Sequence, residues 1–282
     1  MELDHVLYAV ADGVAEIRLN RPEVRNVLSA GPTGTRAQIL QALASAESDP
    51  SVGAILLTAS GTAFCAGGDL TGGTPRETAL EDAEFLDEAD RFHRTLRGAS
   101  LPVVAAVQGH CLGAGLLLAA SCDLVVAGAG ATFGLPEGRL GLVGASYLVP
   151  VIGRQWAKFL ILSGESIGAA RARDIGLVLA VVPDADLGDK TEELARRLAR
   201  MPREGALLNK RAVDAVADVS GDEAGRAAGL ASDAITLAMA KHATAPDGRT
   251  FRSIIASEGM KGLKAAREAQ YAEPWLPDVE QP

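Results

Sequence analysis

The chain of 282 residues is 48% hydrophobic and 22% charged, with a mean hydropathy of +0.15. That composition excludes intrinsic disorder, and the length suits one large domain or a domain with an appendage. Its 27 basic and 36 acidic residues give a formal net charge of −9, which argues against general binding of a phosphate backbone; no basic stripe interleaved with aromatics is present.

Aromatic residues make up only 4% of the chain, so its core must be built from Val, Ile, Leu and Ala. Cys65, Cys111 and Cys122 form no CxxC pair, which argues against a disulfide scaffold or zinc knuckle and suits a reducing compartment. The first residues lack a basic segment followed by an apolar one, and His110, Asp123 and several glycines interrupt the apolar stretch 101–127. Neither a signal peptide nor a membrane span is expected, so the expected location is the cytoplasm.

Apolar residues at 6–10 and 14–19 flank Asp12-Gly13 and predict a β-hairpin with a type I′ turn. Residues 33–47 predict a helix with Ile39, Leu40, Leu43 and Ala46 on one face. A strand at 52–59, a glycine-rich segment at 61–73 and a helix at 77–98 follow. Next come a strand at 101–109, an apolar helix from Gly113 to Ser121, and strands at 123–128 and 131–135. Helices at 154–162 and 168–175 precede a strand at 177–183; beyond 187 the pattern is helical, at 189–200, 204–217, 222–243 and 257–271. Strands alternating with helices, then helices alone, indicate an α/β fold with a helical C-terminal region.

Two glycine-rich segments stand out. Cys65-Ala66-Gly67-Gly68-Asp69-Leu70 follows a strand, and Gly113-Ala114-Gly115 opens the apolar helix. Small residues allow close approach to the backbone, and the first turn of a helix leaves its N–H groups unpaired. One N–H from each segment would make an oxyanion hole. Each segment, taken alone, also reads as an ordinary turn or a tight packing site.

The motifs LNRPEVRN (19–26), VGAILLTASGTAFCAGGDL (52–70), PVVAAVQGHCLGAGLLLAASCDLVVAG (102–128), ATFGLPEGRLGLV (131–143) and LSGESIGAARARDIGLV (162–178) occur in this order. In them the chain resembles the crotonase (enoyl-CoA hydratase/isomerase) superfamily over residues 5–200. The resemblance implies a spiral of ββα units forming a core over 1–200. It also implies a helical region at 201–282 for oligomerisation or active-site cover, in a homotrimer or hexamer. The implied partner is an acyl-CoA thioester, with no cofactor beyond the coenzyme A of the substrate, no metal, no nucleic acid and no membrane. The thioester carbonyl would accept from the N–H groups of Gly68 and Ala114, and the backbone of Ala66, Gly67, Asp69 and Leu70 would line the coenzyme A chain. Arg25 stands where a basic residue meets the phosphates, and equally reads as a solvated side chain. Glu137, a loop residue by composition, takes the place of the acid/base carboxylate.

The chain also departs from the pattern. Leu117 occupies the place of the second glutamate of hydratases, and the Pro-Asp-Gly turn of some relatives is missing after Gly141-Leu142-Val143. Adding water conventionally uses two carboxylates, whereas moving a double bond needs one base that takes and returns a proton. Isomerisation of 3-enoyl-CoA to 2-enoyl-CoA is therefore expected. Hydration with an unconventional second acid and acyl-CoA binding with weak catalysis are the alternatives. Tyr147, Glu165 and His110 are candidates for the gap, each also readable as structural, Glu165 as a helix start. Gly164-Glu165-Ser166-Ile167-Gly168 matches the G-x-S-x-G elbow of serine hydrolases, with Asp174, Asp184, Asp186 and His242 downstream. No HGGG-type oxyanion segment accompanies it, and Ser166 also fits a helix-capping stretch.

Overall fold

A computed structural model describes residues 3–70, 76, 78–142, 144, 146–219, 221–271 and 273–276. Strands β1 (Val6–Ala11) and β2 (Val14–Leu19) form the expected antiparallel hairpin, and both turn residues have positive φ, 51° at Asp12 and 80° at Gly13. Type I′ geometry of this kind matches the right-handed twist of the strands. Helix α1 (Thr35–Ser48) buries Ile39, Ala42, Leu43 and Ala46, which recur at helical spacing. Then come β3 (Ala54–Ala59), α2 (Ala79–Arg97), β4 (Val103–Val107), β5 (His110–Leu112), α3 (Ala114–Ala120), β6 (Leu124–Gly128) and β7 (Thr132–Gly134). They are followed by α4 (Val149–Ser163), β8 (Ser166–Gly168), α5 (Ala169–Asp174), β9 (Ala180–Val182), α6 (Leu187–Ala199), α7 (Arg203–Val219), α8 (Asp222–Ala240) and α9 (Phe251–Glu268).

The main sheet runs β1-β2-β3-β4-β6-β9, parallel after the first hairpin; β5, β7 and β8 make a small second sheet. Its central strands are covered on both faces, which is why they read as continuous apolar runs. Ile55, Leu57, Val103, Ala105, Val107, Val125 and Ala127 enter the larger core with α1 and α3. Leu56, Val104, Ala106 and Val126 pack on the other face against Leu187 and Ala195 of α6.

Several boundaries differ from expectation for local reasons. The strand expected over 177–183 is confined to Ala180–Val182, because the N–H groups of Leu177 and Val178 cap α5 by donating to the Ala172 carbonyl. Strands β5 and β8 were not expected, since three-residue strands show no periodicity. Glu165 starts no helix and Ser166 caps none: Ser166 is the first residue of β8, opposite Gly134 of β7. Helix α4 begins five residues before the expected 154 (at Val149) and breaks at Gly153, and α9 begins at Phe251 under a Thr250 cap. In the C-terminal region α8 packs on α2 and on the 3-10 turn Ser146–Leu148, and α9 packs on the 3-10 turn Pro136–Leu140. Among the described residues no helix is long and apolar enough to cross a membrane.

Helix α3 meets the Cys65 strand end at closest approach through Gly115, where a Cβ would lie 2.4 Å from the Cys65 carbonyl oxygen and 2.9 Å from its sulfur. Neither neighbour can swing away. Gly115→Ala should therefore cost about 1–3 kcal/mol as an overpacked core site, read as a lowered urea midpoint; an unchanged midpoint would show that α3 can move.

Candidate active site

The loop after β3 is fixed by its own backbone. Ala66 N–H donates to the Arg25 carbonyl, Leu28 N–H to the Gly67 carbonyl and Asp69 N–H to the Leu28 carbonyl. The Asp69 carboxylate lies 3.4 Å from the Arg21 guanidinium, and Leu70 is half exposed. Of the expected lining, then, the N–H groups of Ala66 and Asp69 are already committed to pairing. The N–H of Gly68 has no acceptor among the described residues, and neither does that of Ala114 at the start of α3. The two segments touch: a Cβ on Gly67 would lie 3.3 Å from the Leu112 carbonyl and 3.9 Å from the Ala114 nitrogen.

Glu137 joins the same place from the far side. It sits in the 3-10 turn after β7, and its carboxylate lies against Gly113, where a Cβ would be 3.1 Å from Oε2. It also borders Gly144, whose Cβ would be 3.9 Å from Oε1. Gly68, Ala114 and Glu137, distant in the chain, thus surround one region of space. The turn is held from behind. Arg139 donates to the Ser163 carbonyl at 2.8 Å, pairs with Glu268 of α9 and stacks 3.9 Å from the Tyr271 ring. Leu140 packs with Phe251, Ile254 and Leu263.

This packing sets the charge state of Glu137. Burial pushes its carboxyl up to about 7; its own backbone N–H and Arg267 of α9 oppose the shift, and Asp233 of α8 adds to it. A carboxyl poised near neutrality can both take and give a proton at physiological pH. At the edge of the site, burial and the charges of Arg25 and Lys264 lower the pKa of His110. Arg25, exposed and left-handed at φ 55°, and exposed Lys264 thus both bring positive charge to bear on His110.

Neither Glu165 nor His110 has Glu137 as a partner among the described residues. The Glu165 carboxylate accepts from the Trp275 N–H at 3.1 Å, and His110 Nδ1 is 3.0 Å from the Thr132 hydroxyl. The side chain of Tyr147 lies outside the described residues. Leu117 packs against the main core. Ser166 bonds to no histidine among the described residues, and its hydroxyl abuts Gly134 in the small sheet, so the strand–turn–helix elbow is absent there. The residues that sequence reasoning missed, Arg267, Lys264 and Asp233, all lie in the C-terminal helices. Asp233 had one visible signal, as the only acid between Glu223 and Asp247.

The family model for enoyl-CoA hydratase/isomerase matches residues 9–242. The chain belongs to the enoyl-CoA hydratase/isomerase family. It is 36% identical to 2,3-dehydroadipyl-CoA hydratase of Escherichia coli over 222 residues, covering 77% of this chain and 82% of the relative. It is also 36% identical to 1,2-epoxyphenylacetyl-CoA isomerase of Escherichia coli over 220 residues, covering 75% and 82%. A crystal structure of an enoyl-CoA hydratase from Mycobacterium smegmatis superposes with a TM-score of 0.84 at 28% identity, covering 96% of each chain. Members named for hydration and for isomerisation are thus equally similar to this enoyl-CoA hydratase/isomerase homologue.

The charges around Glu137 give a signed expectation. Its 13C-labelled carboxyl should titrate near pH 7, at higher pH in Arg267→Gln and at lower pH in Asp233→Asn, since the first favours and the second opposes the anion. A midpoint near the ordinary glutamate value of about 4.3 would show an open, hydrated site.

Proposed function

We propose that the protein isomerises 3-enoyl-CoA thioesters to 2-enoyl-CoA thioesters. The observation that carries this reading is the half-buried Glu137 carboxyl, raised to about 7 and pressed against Gly113 beside the unpaired N–H of Ala114. The thioester carbonyl accepts from the N–H groups of Gly68 and Ala114. Ionised Glu137 takes a proton from C2; the C–H electron pair moves into the thioester as a dienolate conjugated with C3=C4. The same proton returns from Glu137 to C4, leaving a C2=C3 bond. The oxyanion hole contributes about 3–4 kcal/mol per donor, typical of preorganised N–H groups at a developing oxyanion. Leu117, apolar where hydratases carry a glutamate, favours proton transfer within the substrate over addition of water.

The backbone of Ala66, Gly67, Asp69 and Leu70 runs along the coenzyme A chain, and Arg25 with Lys264 meets its phosphates. No further cofactor enters this chemistry. The chain works in the cytoplasm, which suits its three free thiols, as a homotrimer or hexamer. Exposed Leu162, Val213, Val219 and Ile235 are candidates for the covered surface between copies. Light scattering should give a trimer or hexamer mass, and a monomer mass would contradict this.

The activity is read directly from the ultraviolet absorbance of the conjugated thioester. With a 3-enoyl-CoA the absorbance should rise, and Glu137→Gln should slow that rise by about 10²–10⁴-fold, the usual contribution of a positioned acid/base. No rise with the parent protein would reject isomerisation.

A further inference from the structure

Helix α8 carries a carboxylate, Asp233, whose charge acts on Glu137. Gly225, Gly229 and Asp233 follow one another at intervals of four and share one face of the helix. That face lies on Ser146: a Cβ on Gly229 would stand 2.1 Å from the Ser146 hydroxyl, and one on Gly225 would stand 3.8 Å from its carbonyl. Two residues earlier, Gly144 borders the Glu137 carboxylate. Asp233, one turn beyond Gly229, has a buried Oδ1 with no hydrogen-bond partner among the described residues. Among the described residues, its charge and that of Arg267 are the side-chain charges that act on Glu137.

We propose that Asp233 is the second carboxylate of this cleft and enables it to add water to 2-enoyl-CoA thioesters. The inference rests on the acyl-CoA reading of the Glu137 site, but not on isomerisation. The ionised Asp233 carboxylate takes one proton from a water molecule as the water oxygen bonds to C3. The C2=C3 electron pair moves into the thioester as an enolate at Gly68 and Ala114. Glu137, entering as the carboxylic acid, gives its proton to C2. One water has been added, Asp233 ends protonated and Glu137 ionised, and exchange with solvent restores both.

Burial raises both carboxyls, Asp233 to about 6 and Glu137 to about 7, and the charge of Asp233 raises Glu137 further. Both groups are thus brought toward neutrality, where one can act as base and the other as acid. The second acid missing at Leu117 on α3 is thus supplied from α8.

The test follows both reactions in the same protein with trans-2-hexenoyl-CoA and trans-3-hexenoyl-CoA, separating the 3-hydroxyacyl and 2-enoyl products by chromatography. Asp233→Asn should lower the ratio of hydration to isomerisation by about 100-fold, and Asp233→Glu should restore part of it. Glu137→Gln should abolish both. A parallel fall in both reactions for Asp233→Asn would assign it a structural role and overturn the inference. So would an unchanged ratio, or a parent protein that does not hydrate. A parent that hydrates through Asp233 but does not isomerise would leave the inference standing and reject the isomerase reading.

Discussion

Keeping a carboxyl group largely out of water is the constraint on which the rest of this structure depends. Glu137 lies against backbone at Gly113, with no cation in hydrogen-bonded contact among the described residues, and its proton affinity rises accordingly. Such a group is costly to ionise, so its turn must be held by other contacts. Gly138 supplies one, because its Cα approaches the Ile161 carbonyl so closely that a Cβ would lie 1.7 Å from that oxygen. The Arg139 contacts to Ser163, Glu268 and Tyr271, and the seat of Leu140 on α9, supply the others. The position of one acid therefore draws in α4, α9 and the segment after α9.

The same logic explains the glycine-rich segments. An N–H aimed at a developing oxyanion must not already be bound to the protein, yet its backbone must not move. At Gly68 the neighbours on both sides are fixed by pairing with Arg25 and Leu28, while the N–H between them has no acceptor among the described residues. At Ala114 the preceding Gly113 N–H is held by the Gly134 carbonyl, and Gly115 is wedged on Cys65. Rigidity comes from the flanking residues, and availability from the one left unpaired.

Much of this was legible in the sequence. The hairpin followed from Asp12-Gly13, the buried strands from continuous apolar runs, and the meeting of Gly68, Ala114 and Glu137 from motifs whose order matches a known family. Periodicity could not show β5 or β8, since three residues contain no repeat, and it misplaced Glu165 and Ser166 on a helix start. The largest gap lay in the C-terminal third. Helical periodicity there is clear, but it does not say where a helix docks, so nothing in the sequence ties Arg267 on α9 or Asp233 on α8 to the site. Only the tertiary packing of those helices over the Pro136–Leu140 and Ser146–Leu148 turns brings their charges to Glu137. The similarity to members named for different reactions fits the proposal that the shared part of the site forms an enolate and that the acids around it decide its fate.

Enolate formation is thus the step from which every reading of the site proceeds, and it can be observed without a double bond in the substrate. A saturated acyl-CoA incubated with the protein in deuterated water should lose its C2 proton signal in the nuclear magnetic resonance spectrum. Glu137→Gln should leave that signal intact. Exchange that depends on Glu137 would place the base and the oxyanion donors where this account has them. A C2 proton that persists with the parent protein, under conditions where the thioester is bound, would contradict it.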